Sequence, residues 1–404
     1  MILKLVWRNL WRNKHRTFIT MMSISFALTF AILMESFKKG VFDNLIEDVV
    51  SFYHGYIQIH KKGYWDEQIL DNCFVATDSL TKILKKNPHV KEVVPRLETF
   101  VLGSLGGKTK GCLLVGTDPE KEDNLTQLKS KIISGDYFKK DERVALVASG
   151  LAKRLSLNVH DTVILLGQGY HGVMAADKYL VKGIVQFGSP ELNNGLIFLP
   201  ISTAQNFLSA ENMLTSISLG IDKPENMGRI QQDIEGHLDT DYEVMNWKQM
   251  MPEIDKHIKA DGVSFYIFTG ILYLIVSFGI YGTILMMTAE RKFEFGMLVA
   301  IGMKKILLGI MLFVETFFIT LLSLIVGFFF SLPFVIYFNR FPPRFSGEFA
   351  KAYEQFGFEP IFPTAIDPAI FLSQAAIVLV LAFIIGLYPL WYIFKLDSIE
   401  AMKK

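Results

Sequence analysis

Cysteine is scarce in this 404-residue chain. The two residues, Cys73 and Cys112, are too few for a disulfide scaffold, although an oxidising compartment would permit one bridge between them. The eight histidines are scattered and form neither a His-x-x-x-His pair nor a Cys/His cluster. No metal centre is expected, although His54 and His60 could share a strand face with acids. Excess charge is absent too: a formal net charge of +1 gives no electrostatic case for binding nucleic acid. A Gly-x-Ser-x-Gly nucleophile elbow is missing. Gly106-Gly107-Lys108-Thr109 resembles the end of a phosphate loop, but the first glycine of such a loop would have to replace Leu102, and Gly103 is one place late. A glycine-rich hairpin turn is expected there instead. No catalytic and no cofactor-binding residue is expected in this chain.

What the chain does have is apolar length. Hydrophobic residues make up 51% of it, with 34 Phe, and the excess sits in four blocks. A helix needs about 20 mostly apolar residues to cross the hydrocarbon core. Thr17 to Met34, Val263 to Thr288 and Ala369 to Phe394 qualify and carry no charge, while Ile306 to Asn339 carries one, Glu315. The first window follows a basic start, as a signal peptide does, but it is long for one and no small-x-small cleavage site follows, so an uncleaved anchor is expected. Lys4, Arg8, Arg12, Lys14 and Arg16 precede it without an acid. The loop 289–305 sets Arg291, Lys292, Lys304 and Lys305 against Glu290 and Glu294, and the tail carries Lys395, Lys403 and Lys404. The loop 340–367 sets Glu348, Glu354, Glu359 and Asp367 against Arg340, Arg344 and Lys351. Positive charge stays inside. Both termini are therefore expected in the cytoplasm, with residues of about 40–262 and the outer loop 340–367 outside it, in a multi-pass membrane protein.

Three domains are expected: residues 1–42, an N-terminal arm and the first span; residues 43–260, outside the membrane; and residues 261–404, with the other three spans. Phe37, Val41, Leu45 and Val49 continue one apolar face and predict a stalk; Gln249 to Ala260 predicts a matching one. Tyr56 to His60 (strand), Asp78 to Asn87 (helix) and Val90 to Leu105 (extended, with Pro95 suggesting a bulge or an edge) form one β-α-β unit. Ser216 to Ile221, Glu225 to Leu238 and Tyr242 to Trp247 form a second. Strands are expected between them at Gly111 to Val115, Arg143 to Ala148, Asp161 to Gly167, Lys178 to Phe187 and Gly195 to Leu199. Leu151 to Leu155 offers a short helix, and Ser202-Thr203-Ala204-Gln205 is a capping-box pattern opening another. The expected fold is thus an α-helical membrane protein with four transmembrane helices, plus an α+β extracytoplasmic domain between helices 1 and 2. That domain is a ferredoxin-like layer with a β-rich insertion.

Inside the spans, Glu315 is expected to face other helices or a cavity, because a carboxylate in hydrocarbon costs at least a few kcal/mol. It is either a polar contact in a moving pathway or a structural hydrogen bond between helices. Gly270, Gly279, Gly282, Gly309 and Gly327 would permit close helix approach, and Pro333 would kink the third span.

The loop from Glu290 and Arg291 through Glu294, Phe295, Gly296, Leu298, Ala300 and Gly302 resembles the ER-x-x-E-F/I-G-x-L-x-A-x-G stretch of FtsX-domain ABC permeases. That group includes MacB, FtsX and the lipoprotein-releasing LolC and LolE. Arg8-Asn9-Leu10-Trp11-Arg12-Asn13-Lys14 resembles their basic amphipathic start. Glu315 followed by Gly327 resembles their Glu-then-Gly pattern. Pro389 with Leu396-Asp397-Ser398-Ile399-Glu400-Ala401-Met402 resembles their closing motif, except that Ser398 and Met402 replace the usual proline and leucine. Gly135-Asp136-Tyr137-Phe138 with Val144 to Leu157, then Gly183-Ile184-Val185 and Phe198-Leu199-Pro200, resemble the MacB-type periplasmic core.

The resemblance implies a non-catalytic permease that pairs with a second permease, the same or a homologous chain. It implies two copies of a partner ATPase, which hold the ATP and Mg while this chain binds no cofactor. Met297 to Gly302 would lie on a short coupling helix docked in an ATPase groove, anchored by charge pairs of Glu290, Arg291 and Glu294; the coupling set is Glu290, Arg291, Glu294, Gly296, Met297, Ala300 and Gly302. The chain length and the lack of a fused ATPase point to a LolC/LolE-like subunit that releases lipoprotein cargo to a periplasmic carrier. The contact loop would then be Gly169, Tyr170, His171 and Gly172, or the Gly188 to Asn194 loop. The alternatives are MacB-like efflux of peptides, toxins or drugs with an adaptor protein, and FtsX-like mechanotransmission to a cell-wall hydrolase.

Overall fold

A computed structural model of the chain describes residues 7, 8, 10–12, 14–49, 53–75, 77–348, 350 and 360–395. The closing motif at 396–402, and Asn9 and Asn13 of the basic start, lie outside these residues. The chain divides into two compact units: Met1–Asn44, His257–Arg344 and Ile361–Lys404 form a membrane unit, and Leu45–Lys256 with Phe345–Pro360 form an inserted domain.

Among the described residues, four helices are long and apolar enough to cross a bilayer: Thr17–Glu47, Pro252–Glu290, Lys305–Arg340 and Pro368–Lys395. The first lies within one continuous helix, Lys14–Val49. In lipid, helices gain nothing by hiding apolar surface from one another, so association rests on close packing and hydrogen bonds. The seam between the first and third spans shows both. Ser25 Oγ donates to Ser323 O at 2.8 Å, and Thr29 Oγ1 donates to Gly327 O at 3.3 Å. A side chain on Gly327 would strike Leu28, and one on Gly309 would strike Leu390. Gly270 and Gly282 face open space and take no part. The third helix runs on through Pro333 to Arg340.

A strap of chain ties the ends of the first and third spans together. Ala365 N donates to Ser36 O at 2.9 Å, Thr364 Oγ1 to Val335 O at 2.7 Å and Asn339 Nδ2 to Thr364 O at 2.6 Å, and Lys39 pairs with Asp367. The strap crosses so close to the first helix that a Cβ on Gly40 would sit 2.2 Å from Pro363 O. Gly40→Val is therefore expected to destabilise the membrane unit by about 1–3 kcal/mol, as overpacking does. A lower thermal midpoint in detergent, with Gly270→Val unchanged as the control, is the check.

Among the described residues, the inserted domain has twelve strands: β1 (Ile57–Lys61), β2 (Phe74–Val75), β3 (Val90–Leu105), β4 (Lys108–Thr117), β5 (Ile132–Gly135), β6 (Val144–Ala148), β7 (Thr162–Gln168), β8 (Met174–Val185), β9 (Leu196–Pro200), β10 (Met213–Leu214), β11 (Ser216–Ile221) and β12 (Tyr242–Asn246). The order β12-β1-β11-β3, antiparallel throughout, is the ferredoxin-like layer expected from the two β-α-β units. Its helices, Asp78–Lys86 and Met227–His237, meet where Asn87 Nδ2 donates to Asp233 Oδ2 at 2.8 Å.

The insertion does more than extend this layer. β3 is 16 residues long and outruns β11, so β7 takes the same edge further along. The pairings β3-β4-β9-β6-β8-β7-β3 then close a ring of six strands. Leu97, Val101, Leu114, Ala145, Val147, Val163, Leu165, Val181, Ile197 and Leu199 fill one core. Alternate residues of the same strands, Val115, Leu146, Ala148, Leu196 and Phe198, enter a second with Leu128, Phe138 and Val185. Burial on both faces is why β6 and β9 read as unbroken apolar runs.

Pro95 marks an edge and not a bulge: it lies opposite Ile217 of β11, on the stretch of β3 that β4 does not reach. Arg96 O accepts from Thr215 N on the β11 side, so the missing N–H of Pro95 points the other way, where β4 pairing ends at Thr117–Arg96. One local expectation fails for a clear reason: Ser202 does not cap a helix. The helix Ile201–Phe207 starts behind Pro200, Ser202 Oγ donates to Asp141, and Gln205 Nε2 donates to Met213 O. A complete capping box stands instead at Asn246 and Gln249. Gly106 and Gly107 form the β3–β4 turn, both at positive φ.

Candidate functional site

The loop after the second span is built as a helix with two faces. The chain leaves the span at Glu290, turns at Arg291 and forms the helix Lys292–Ala300, longer and earlier than Met297 to Gly302. It stops because Gly302 takes a left-handed conformation, φ +101°. Gly302 N then donates to Val299 O and Met303 N to Leu298 O, both at 3.0 Å, which is the Schellman closure that glycine permits. Phe295 and Gly296 are buried, and Phe295 shares a core with Leu10 and Leu308. Phe293, Met297 and Ile301, spaced by four, form an exposed apolar stripe at 54%, 42% and 78% exposure. Ala300 is exposed beside it.

Arg291 and Glu294 of this loop are engaged within the chain. Arg291 Nη1 donates to both carboxylate oxygens of Glu315, at 3.0 and 3.2 Å, with both residues buried. Glu315 is thus held by an ion pair between the loop and the third span. Arg12 Nη2 donates to both oxygens of Glu294, at 3.0 and 3.3 Å, on the surface. Of the residues expected to anchor the coupling helix by charge pairs, Arg291 thus pairs inward with the third span and Glu294 with the N-terminal arm. Glu290 is exposed and engaged in an interaction of its own.

In the inserted domain, the Gly169–Gly172 segment closes the β7–β8 hairpin as a turn with His171 and Gly172 at positive φ. It is tied down: Tyr170 N donates to Leu208 O at 2.8 Å and His171 N to Asp71 Oδ1 at 3.1 Å. Val173 and Met174 beside it are exposed, Met174 by 86%. The Gly188–Asn194 segment is largely a short helix, Pro190–Gly195, fixed by Asn193 against the Phe187 backbone. Cys73 and Cys112 are free thiols, both buried, and burial pushes Cys112 up to about 12. No group of metal-ligating side chains occurs among the described residues.

A charge cluster that sequence reading missed lies in the ferredoxin-like half. Arg96, on β3, is wholly buried and grips Glu122 through Nε (2.9 Å) and Nη2 (2.7 Å). Glu122 also accepts from Thr117 and Thr126. Glu98, two residues along β3, accepts from Tyr53 and from Ser216 Oγ, and its oxygen lies 3.8 Å from Arg96. The Arg96 guanidinium lies over the Tyr53 ring at 4.5 Å. Burial pushes the Glu98 carboxyl up, against the pull of Arg96, Tyr53 and Ser216. His60 is neutral here, burial lowering it to about 4.

The architecture is that of a polytopic membrane permease with an α+β domain between its first two spans. The MacB-like periplasmic core domain family matches residues 17–237, and the FtsX-like permease C-terminal family matches residues 266–398. The chain belongs to the MacB-like periplasmic core family and is an ABC transporter permease of the Lol/MacB/FtsX type. It is an inner-membrane protein with a periplasmic domain. The chain is similar to the lipoprotein-releasing system transmembrane protein LolE of Haemophilus influenzae, 22% identical over 231 residues, 55% of each chain. It is similar to LolC of the same named system in Xylella fastidiosa, 22% identical over 306 residues, 72% of this chain and 70% of that one. It is also similar to the macrolide export ATP-binding/permease protein MacB of Haemophilus ducreyi, 20% identical over 327 residues, 78% of this chain and 45% of that protein.

Proposed function

We propose that this chain is the permease subunit of a lipoprotein-releasing ABC transporter, with both termini in the cytoplasm. The observation that carries the coupling role is the exposed stripe of Phe293, Met297 and Ile301 on a short helix whose other face is buried. An apolar stripe of that size on a cytoplasmic loop calls for a protein partner, and a groove in each of two ATPase subunits fits it. ATP and Mg belong to those subunits. The second permease is the same or a homologous chain. Likeness to LolE and LolC supports lipoprotein as the cargo, and the β7–β8 tip at Gly169, Tyr170, His171 and Gly172, with exposed Met174 beside it, is the proposed contact for a periplasmic carrier.

The test is native mass spectrometry of the chain purified with its ATPase. Bound triacylated lipoprotein that leaves on adding ATP supports the proposal. A complex with an adaptor protein and no lipoprotein supports the MacB-like reading, which the match to MacB favours. A complex with a cell-wall hydrolase or its activator points to mechanotransmission.

Gly302→Val should uncouple ATP hydrolysis from release. A β-branched residue at φ +101° is strained by about 1–3 kcal/mol, so the Schellman closure opens and the stripe loses its aim. Normal release by this variant would remove the coupling helix from the mechanism.

A further inference from the structure

We propose that Arg291 is a positioning residue, and that its ion pair with Glu315 fixes the coupling helix to the third span as one mechanical body. This rests on the reading that the ATPase engages the helix Lys292–Ala300. The resemblance to known permeases implied that Arg291 anchors the coupling helix by a charge pair. The structure places its guanidinium, 5% exposed, against the Glu315 carboxylate, 2% exposed.

The geometry makes the pair a hinge pin for the helix. Arg291 is the N-cap residue, so its side chain holds the first turn where the helix leaves the second span. Phe295, one turn on and facing the same way, is 1% exposed and packs with Leu308 of the third span and Leu10 of the N-terminal arm. The arm is itself tied to the span that follows it, because Thr17 Oγ1 donates to Leu10 O at 3.0 Å. The coupling helix therefore presents one face, Phe293, Met297 and Ile301, to a partner, and locks the opposite face into the bundle. Arg12–Glu294 sets the register between arm and helix from the side. That pair is exposed on both partners and so contributes little energy of its own. Arg291–Glu315 is different: both residues are buried, so parting the two charges costs far more than at the surface, and the pair stays closed while the helix is pushed. Two contacts of unlike strength thus divide the work. The buried pair carries displacement into the third span, and the surface pair lets the arm follow.

The experiment uses the full permease with its ATPase in lipid nanodiscs. Single variants leave a buried charge and can misfold, so the informative variant is the double apolar replacement Arg291→Met/Glu315→Leu, which removes both charges together. It is expected to bind the ATPase with unchanged affinity and to hydrolyse ATP, while cargo release per ATP falls about tenfold, the scale on which coupling mutations act. The swap Arg291→Glu/Glu315→Arg should recover part of that release. Met297→Asp is the contact control and should weaken ATPase binding about tenfold. Loss of ATPase affinity in the double variant, matching Met297→Asp, would make Arg291 a contact and overturn the proposal. Unchanged release per ATP in the double variant would overturn it as well. If Met297→Asp keeps full affinity, the docking face itself is misassigned, and the release ratio of the double variant still decides whether the pair transmits.

Discussion

Arg96→Met is expected to destabilise the inserted domain by about 3–5 kcal/mol, the cost of breaking a buried ion pair from one side. Methionine matches the length of arginine and fills much of its volume, so packing is not the main loss. What is lost is the guanidinium that faces Glu122 and Glu98. Glu122, 1% exposed, would keep hydroxyl donors from Thr117 and Thr126 but lose its ion pair with Arg96. Glu98 would keep Tyr53 and Ser216. Burial already pushes the Glu98 carboxyl up, and losing the Arg96 charge removes a pull that holds it down, so the variant should be least destabilised relative to the parent in mild acid. The paired control is Arg96→Met with Glu98→Leu and Glu122→Leu, which leaves no orphan charge. Its unfolding midpoint should return most of the way to the parent value, because an apolar replacement of a buried charge cluster is often neutral. Thermal unfolding of the three proteins in detergent, followed by the signal of the inserted domain, measures both claims. A loss under about 1 kcal/mol in the single variant would show that water reaches the cluster and screens it.

The cluster also shows where sequence reading runs out. Strand β3 was legible as a strand, and its alternation was real: Leu97 and Val101 fill the barrel, while Arg96 and Glu98 point to the other face. Alternating charge on a strand normally marks solvent. Here that face is covered from a distance in sequence, by Tyr53, by the helix Pro119–Thr126 carrying Glu122, and by β11. No local pattern announces a cover supplied 26 residues away. The ring of six strands was hidden for the same reason. Each strand could be read, but closure depends on β7 finding the free second half of β3, a pairing set by strand length. By contrast, the four spans and the two β-α-β units depend on local hydropathy and period, and the structure follows them closely. At the coupling loop the sequence carried a motif but not the directions of its side chains: Arg291 is buried, Met297 is exposed, and Phe293 and Ile301, outside the expected coupling set, complete the stripe.

The second large effect concerns acid. His60 has no exposure at all, and its ring is flanked by Tyr64 and Trp65, each with centroids 5.5 Å away. Gln58 Nε2 donates to His54 O at 2.7 Å, which turns the Gln58 carbonyl oxygen toward the His60 ring. His60 Nε2 therefore donates to Gln58 Oε1 at 2.9 Å, and Nδ1 is left bare in a buried site without a hydrogen-bond partner. Protonation would put a charge on that nitrogen with nothing to receive it. Burial accordingly lowers His60 from 6.5 to about 4. A base whose folded pKa is depressed contributes stability that is complete above its unfolded pKa and lost as the pH falls. For His60 the loss runs from pH 6.5 down to about 4 and amounts to about 3 kcal/mol. His54, lowered to about 4 by burial and then by Arg96 and His60, acts in the same direction. Glu98 acts against both, because its raised carboxyl favours the folded state when protonated and loses that contribution as pH rises. The inserted domain should therefore weaken steadily between pH 6.5 and 4, and His60→Gln should remove about 3 kcal/mol of that slope while keeping an amide donor for Gln58. Unfolding midpoints of parent and variant, measured at half-unit steps across that window, give the answer. Parallel curves would mean that His60 stays neutral or stays charged in both states, and that the acid sensitivity of the domain is carried by its carboxylates.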